Sequence, residues 1–164
     1  MQNHTYEAEV VRWFTADGIE IGVNELKNKL KDHINRKGKL FIGCDSYLNY
    51  DKCVFASAIC LHGAENQSGG NYFWYRRNIH SEKYQNFSLR MFQEAHNSLG
   101  LALWVSETFP EAYIEVHVDV SSNPSEKSYK YSDALSGMIK GAGFNCKIKP
   151  NAWAANAVAD KHSK

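Results

Sequence analysis

The amino-acid sequence predicts a mixed α/β fold, in which one five-stranded mixed sheet is flanked by helices. Apolar runs too short for ordinary helices alternate with longer segments whose apolar residues recur at helical spacing. Three strand-like runs follow one another before any long helix, which disfavours a purely parallel, doubly wound sheet. We therefore expect a sheet that begins with three antiparallel strands, and an extra helix before the first of them.

The predicted elements follow the order helix, three strands, helix, strand, helix, strand, helix. A turn at Asp17-Gly18 precedes them, Pro110 closes off the second helix, and the third ends near Gly143. We expect helices at residues 24–36, 88–107, 135–142 and 152–161, and strands at residues 39–49, 54–61, 72–79, 112–120 and 146–150.

Length and composition limit the possible functions. With 164 residues, 43% of them hydrophobic, the chain is long enough for one sizeable core and short for two. We expect a single domain over residues 1–164, made of an N-terminal extension and helix (1–38) and a core (39–164). The formal net charge of +1 gives no overall attraction to a polyanion, so any contact with nucleic acid must be local.

The cellular setting is predicted from apolar runs and cysteines. No apolar run is long enough for a signal peptide or a membrane span, so we expect a cytoplasmic protein. The four cysteines form no C-x-x-C pair, and three of them lie in strand-like runs. This pattern favours reduced, buried thiols over zinc ligands or disulfides. The cysteines are Cys44, Cys53, Cys60 and Cys146.

Asp45 lies inside the apolar, strand-like run LFIGCDSYL, and Asp119 lies inside YIEVHVDV. Burying an unpaired carboxylate is costly, so each needs a partner. For either residue alone, backbone hydrogen bonds or a nearby lysine would suffice. If their strands are neighbours, however, both carboxylates reach one sheet edge, and such a set of oxygen ligands suits Mg²⁺ and metal-assisted hydrolysis.

Two further acids are weaker candidates. Glu94 lies on the second predicted helix, off the predicted apolar stripe, and a solvated glutamate is the common case. However, Leu101 and Val105 follow Glu94 by seven and eleven residues and lie on the same side of the helix, so Glu94 could also face inward. Asp160 lies in the last predicted helix, where it is either an ordinary surface charge or aligned with Trp153 and Asn156. The predicted stripe of the second helix is Leu89, Phe92, His96, Leu99 and Leu103.

The strand order and the four acids resemble the ribonuclease H-like superfamily. The stretches FIGCDS, HVDV, GFNCKIKP and AVADKHSK are similar to the YkuK-like family of predicted ribonuclease H-like proteins, over about residues 14–164. The resemblance implies a two-metal site with Mg²⁺ or Mn²⁺. It matches Asp45, Glu94, Asp119 and Asp160 to the acids of the first strand, the long helix, the fourth strand and the last helix. The YkuK-like pattern does not always keep an acid at Asp160, in which case three carboxylates remain.

Other residues are possible auxiliaries. His117 shares a strand face with Asp119 and either assists a proton transfer or is an ordinary core histidine. Three lysines follow the fourth strand or end the fifth, where they either reach a substrate phosphate or lie on the surface. The alternating residues 72–77 either stack on nucleic acid or fill the core. The three lysines are Lys127, Lys130 and Lys149.

The sequence disfavours two activities of the superfamily. Proofreading exonucleases of the superfamily share a D-x-E pair on the first strand, but here Ser46 and Tyr47 follow Asp45. ATP-binding members need a glycine-bearing phosphate turn after the first aspartate, and this sequence has none there. The remaining predictions are a metal-dependent nuclease, with an endonuclease favoured, or a non-catalytic nucleic-acid-binding or scaffold protein. RNA, RNA/DNA hybrid and branched DNA all remain open as the partner.

Overall fold

The computed structural model describes residues 6–164. The strands are β1 (Trp13–Thr15), β2 (Glu20–Ile21), β3 (Lys39–Asn49), β4 (Lys52–His62), β5 (Asn71–His80), β6 (Tyr113–His117) and β7 (Asn145–Lys147). The α-helices are α1 (Glu7–Val10), α2 (Val23–Asn35), α3 (Phe87–Thr108), α4 (Ser132–Gly141) and α5 (Asp160–Ser163). Shorter helical pieces are 3₁₀ turns at Glu82–Gln85 and Tyr129–Tyr131 and a π-helical stretch at Ala154–Ala159 that runs into α5. Within residues 6–164, no helix is long and apolar enough to cross a membrane.

The strands form one mixed sheet in the order β2-β1-β5-β4-β3-β6-β7. Strands β3, β4 and β5 are antiparallel neighbours, as predicted. Strand β6 returns parallel to β3 after the α3 crossover, and β7 is parallel to β6. The predicted mixed α/β architecture is therefore confirmed, and the strands that carry the two predicted aspartates are neighbours.

The sheet has seven strands where the sequence predicted five. The two additional strands, β1 and β2, form a hairpin at one edge, and β1 pairs with β5. Gly18 adopts a φ of +81° at the predicted Asp17-Gly18 turn. With three and two residues, these strands are too short to show an alternating pattern, although Trp13 is fully buried. The division of the chain at residue 38 stays a prediction.

The predicted apolar stripe on α3 is wrong. Leu89 and Phe92 are exposed, and the buried face of α3 carries Met91, Ala95, Ser98, Ala102 and Val105 among others. Large residues such as Leu101 and Trp104 are buried on this face together with small ones, so the face is rotated from the predicted stripe. Glu94 precedes Ala95 and lies at the border of the buried face.

The C-terminal helical segment covers the other face of the sheet. Gly43 of β3 faces its backbone: a Cβ atom there would lie 2.4 Å from the carbonyl carbon of Ala154. Ala154 and Ala159 are fully buried against this face with Ala58 and Cys60 of β4. The close contact of β3 with the segment brings α5 next to Asp45.

Candidate active site

The candidate site lies where the sheet opens between β3 and β6. The two strands pair only as far as Gly43 and His117, whereas β3 continues along β4 to Asn49. Asp45 and Asp119 each lie two residues beyond that last pair. Asp119 is therefore outside β6, and its predicted position within the strand is corrected: the parallel ladder ends at His117.

A cavity of about 310 Å³ occupies this opening. Asp45, Glu94 and Asp119 all line it, so the structure brings three of the four predicted acids together from a strand, a helix and a strand end. The other lining residues are Ser46, Phe87, Arg90, Met91, Glu126, Lys127, Ser128 and Lys149.

Asp45 is the most enclosed of these acids, with 8% of its surface exposed. The Ser163 hydroxyl of α5 donates a hydrogen bond to Asp45 Oδ2 at 3.2 Å. Burial, a hydrogen bond shared with Asp160 and the charge of Asp119 raise the pKa of Asp45 to about 7. A negative charge on Asp45 is therefore costly without a cation nearby.

Glu94 faces the cavity from α3 and is half-buried. The Ser46 hydroxyl donates a hydrogen bond of 2.5 Å to Glu94 Oε1. Burial, followed by the charge of Asp45, raises the pKa of Glu94 well above its usual range; the Ser46 hydrogen bond and the Arg90 charge oppose this rise. The charge of Asp45 thus disfavours the ionised form of Glu94.

Asp119 forms an ion pair with Lys149, which also lines the cavity. Among the described residues, this is the ion pair that joins a cation and a carboxylate of the cavity. Lys149 Nζ lies 3.3 Å from Asp119 Oδ1. Oδ1 is also the buried side-chain oxygen that lacks a hydrogen-bond partner within residues 6–164, so Lys149 contacts it as an ion pair. An electron-rich oxygen facing a cation without a hydrogen bond is a suitable ligand for a metal ion.

Asp160 contacts Asp45 from α5 and is not among the residues that line the cavity. Lys164 Nζ approaches its carboxylate at 3.1 Å. Burial opposes ionisation of Asp160, but the hydrogen bond from Asp45 and the Lys164 charge outweigh it and lower the pKa. Asp160 thus stays charged beside Asp45, without lining the space that Glu94 and Asp119 share.

The carboxylates of Asp45, Glu94 and Asp119 suit a hard divalent cation, although they are not close enough together to coordinate one ion jointly. Carboxylate oxygens are the ligands that Mg²⁺ and Mn²⁺ prefer, and a cation would relieve the repulsion that raises the pKa of Asp45. As the side chains stand, however, no three His, Cys, Asp or Glu residues between residues 6 and 164 converge closely enough to hold an ion. Mg²⁺ usually keeps several waters and takes substrate phosphate oxygens, so a partly open set remains compatible with it.

His117 does not face the cavity, contrary to the predicted auxiliary role. It is 1% exposed; Nε2 donates to Glu115 Oε2 at 2.9 Å, and Nδ1 accepts from the Ala154 N–H at 3.0 Å. Burial lowers the pKa of His117 despite the hydrogen bond to Glu115. His117 is a neutral core histidine that holds the start of the C-terminal helical segment.

The three predicted lysines have different positions. Lys149 and Lys127 line the cavity, whereas Lys130 does not and lies 5.1 Å from the Tyr131 ring centroid. Lys127 Nζ lies 4.2 Å from the centroid of the Phe87 ring. One lysine thus contacts a carboxylate and another an aromatic face at the cavity rim.

The residues of β5 divide between the two sheet faces. Phe73 and Tyr75 are buried in the main core. On the other face, Trp74 stacks on the His162 ring at 4.0 Å and 9°, and the Tyr72 hydroxyl lies 2.9 Å from His162 Nε2. Trp74 and Tyr72 therefore hold α5 in place.

Comparison with known proteins identifies the family. The family model described as ribonuclease H-like matches residues 8–164. The chain belongs to the ribonuclease H-like family. The match confirms the resemblance stated from the sequence and spans all four stretches that carried it. No curated protein and no solved structure gives a significant match.

Several site residues of this ribonuclease H-like chain were missed from the sequence. Arg90 lines the cavity one helical turn before Glu94, and that spacing was a usable signal. Its guanidinium donates to the Tyr84 carbonyl at 2.8 Å. Ser163 gave no signal, because its contact with Asp45 spans 118 positions of sequence.

The cysteines of the ribonuclease H-like domain are free, as predicted. Three are buried and Cys146 is half-buried. Burial raises the pKa of the Cys44 thiol far above its usual range, with the charge of Glu94 adding to it. Cys44 is therefore an unreactive core residue beside the acid site.

Proposed function

We propose that this protein is a metal-dependent nuclease that hydrolyses nucleic-acid phosphodiester bonds. The observation that carries the proposal is the meeting of Asp45, Glu94 and Asp119 in one cavity. These acids come from three elements separated along the chain, and each costs free energy when it is charged and unpaired. Membership of the ribonuclease H-like family supports nucleic acid as the partner in general.

The proposed roles follow from the position of each acid. Asp45 and Asp119 would hold one Mg²⁺ or Mn²⁺ ion, and Asp45 and Glu94 a second. Such ions supply an activated water and neutralise charge on the leaving oxygen when they are bound. From α5, Ser163 orients Asp45 by donating a hydrogen bond to it, and the Asp160 carboxylate lies in contact with it.

Positive and aromatic groups at the rim support a polyanionic substrate. Arg90 and Lys127 line the same cavity as the acids, and both lie near the Phe87 ring, at 5.7 and 4.2 Å from its centroid. Lysine and arginine are common phosphate ligands, and an aromatic face can stack on a base. This local cationic rim supplies the contact that the overall charge does not.

The test is a cleavage panel with single-stranded RNA, RNA/DNA hybrid, duplex DNA and branched DNA, each in the presence of Mn²⁺ or Mg²⁺. We expect at least one substrate to be cut, and Asp45→Asn to reduce the rate by at least about 10³-fold, since it removes a ligand of both ions. The matched control is Asp51→Asn, the same change at an exposed residue outside the cavity. Full activity of Asp45→Asn contradicts the proposal.

A second candidate is a non-catalytic nucleic-acid-binding or scaffold protein on the same fold. The observation that favours it is the lack, within residues 6–164, of three metal-ligand side chains that already converge. It predicts binding to nucleic acid without turnover for every substrate and ion of the panel. Arg90→Gln should then weaken binding, while Asp45→Asn should strengthen it by removing a negative charge.

A further inference from the structure

Lys149 has an unusual place among the positive side chains at the cavity. Its backbone N–H donates to the Val120 carbonyl at 3.0 Å, and the Val118 N–H donates to the Lys147 carbonyl at 2.9 Å. These bonds bracket Asp119, so the main chain itself places Lys149 beside that acid. The ammonium group then lies 3.3 Å from Asp119 Oδ1.

The other positive groups of the cavity do not contact its acids in this way. Lys127 lies over the Phe87 ring, and Arg90 donates to backbone carbonyls. Among the ion pairs of the described residues, the pair of Lys149 and Asp119 is the one that joins two cavity-lining groups. Lys149 thus supplies the positive charge that is in direct contact with Asp119.

We infer that Lys149 is a built-in counter-ion, which occupies the cation position at Asp119 and competes with the divalent ion for Oδ1. This inference rests on the metal site of the proposed function and deepens it. Oδ1 is buried, has no hydrogen-bond partner and faces Lys149, so the ammonium and a divalent ion would compete for the same oxygen. The Lys149 side chain is 38% exposed and has room to turn toward solvent or substrate.

The competition also fits the spacing of the acids. Lys149 pairs with Asp119, and no three His, Cys, Asp or Glu side chains within residues 6–164 are close enough together to bind one metal ion. When the ammonium leaves Oδ1, Asp119 becomes free to share a cation with Asp45. Lys149 therefore sets the affinity of the site for metal.

The experiment measures Mn²⁺ binding, by the electron paramagnetic resonance signal of free Mn²⁺, to the metal-stripped full chain at 0.15 M salt. A partly exposed ion pair is weak, so Lys149→Gln should bind Mn²⁺ about three- to tenfold more tightly than the unaltered protein. Lys149→Arg keeps the charge and should stay within about twofold of it. The matched control, Lys127→Gln, removes the same charge from the same cavity without touching a carboxylate, and salt screening should keep its effect under about twofold.

The outcomes separate this inference from the proposed function. Equal affinity of Lys149→Gln and the unaltered protein, weaker binding by Lys149→Gln, or the same gain in Lys127→Gln each overturns the counter-ion role. If neither the unaltered chain nor any variant binds Mn²⁺, both ideas fail. If Mn²⁺ binds as expected but no substrate is cut, the nuclease proposal fails and the counter-ion role stands.

Discussion

Asp45 and Asp119 each lie two residues past Gly43 and His117, the last pair that β3 and β6 form. The β3–β6 ladder ends before it reaches them, so it does not fix their separation. Each acid is held by its own backbone neighbours, Asp45 by the β3–β4 ladder and Asp119 by the bonds that join residues 118 and 120 to residues 147 and 149. Their side chains have different partners: Ser163 and Asp160 contact Asp45, and Lys149 contacts Asp119. These partners can be changed one at a time.

The contribution of Asp45 to the stability of the metal-free protein should fall as pH rises from about 4 to about 7. The pKa of Asp45 is about 7 in the fold against an ordinary value of 3.8, so between these values the folded state keeps a proton that the unfolded chain has lost. Asp45→Asn removes this penalty. Its free energy of unfolding should match the unaltered protein near pH 3.5 and exceed it by roughly 1–4 kcal/mol at pH 8.

Urea unfolding of both proteins in EDTA, at pH 3.5, 6 and 8, gives this difference directly. A difference that is constant with pH would show that the Asp45 carboxyl does not titrate as described. Repeating the pH 8 measurement with Mg²⁺ should stabilise the unaltered protein more than the Asn variant, because binding to the folded state adds to stability.

Gly43→Ala should destabilise the protein by about 1–3 kcal/mol, since the new Cβ would press on the Ala154 backbone and push the C-terminal segment off the sheet. Thermal or urea unfolding measures the loss. Gly137→Ala is the matched control: a Cβ added to this helical glycine would meet nothing within 4 Å, so alanine there should stabilise by up to about 1 kcal/mol. Similar effects at both positions would argue against the close contact.

His162→Ala should cost about 1–2 kcal/mol, because it removes both the stacking on Trp74 and the hydrogen bond with Tyr72. His162→Phe keeps a stacked ring and should lose about half as much. His80→Ala, at an exposed histidine, serves as the comparison and should change stability by less than about 0.5 kcal/mol. If all three unfold alike, Trp74 does not anchor α5.

His117→Ala should destabilise by about 3 kcal/mol or more, because the buried Glu115 carboxylate and the Ala154 N–H both lose their partner. His117→Leu should destabilise the protein for the same reason. The double variant with Glu115→Leu and His117→Leu should be more stable than His117→Leu alone, since it removes the unpaired charge. Urea unfolding of the single and double variants measures the coupling. Strictly additive effects would show that the two side chains act independently.

The order of elements was predictable because most elements have a local signal, either a short apolar run or apolar residues at helical spacing. Short apolar runs predicted β3 to β5. The adjacency of β3 and β6 was a condition of the acid-site hypothesis, which the structure meets. The hairpin of β1 and β2 was missed, since such short strands are held by pairing with β5 rather than by their own pattern. The α3 stripe was wrong because apolar residues occur on more than one side of this helix, and the small residues Ala95, Ser98 and Ala102 gave its buried face little apolar signal.

The candidate site was predictable in its acids and not in their partners. Asp45 and Asp119 were found because a carboxylate in an apolar run is costly. Glu94 depended chiefly on the family resemblance, and its partner Ser46 is contributed by another element. His117 could not be assigned to core or cavity from alternation alone, because β6 ends at that residue and the next acid no longer follows the strand pattern.

The opening between β3 and β6 also bears on how the chain reaches its native state. Parallel pairing of these strands closes a loop that contains β4, β5 and the whole of α3, which makes it a slow, entropically costly contact. Asp45 and Asp119 become neighbours only when β3 and β6 pair. Their mutual repulsion should therefore slow the late stages of folding and leave the early ones unaffected. Mn²⁺ present during refolding should therefore bind only after the hairpins form, and its uptake would time the completion of the sheet.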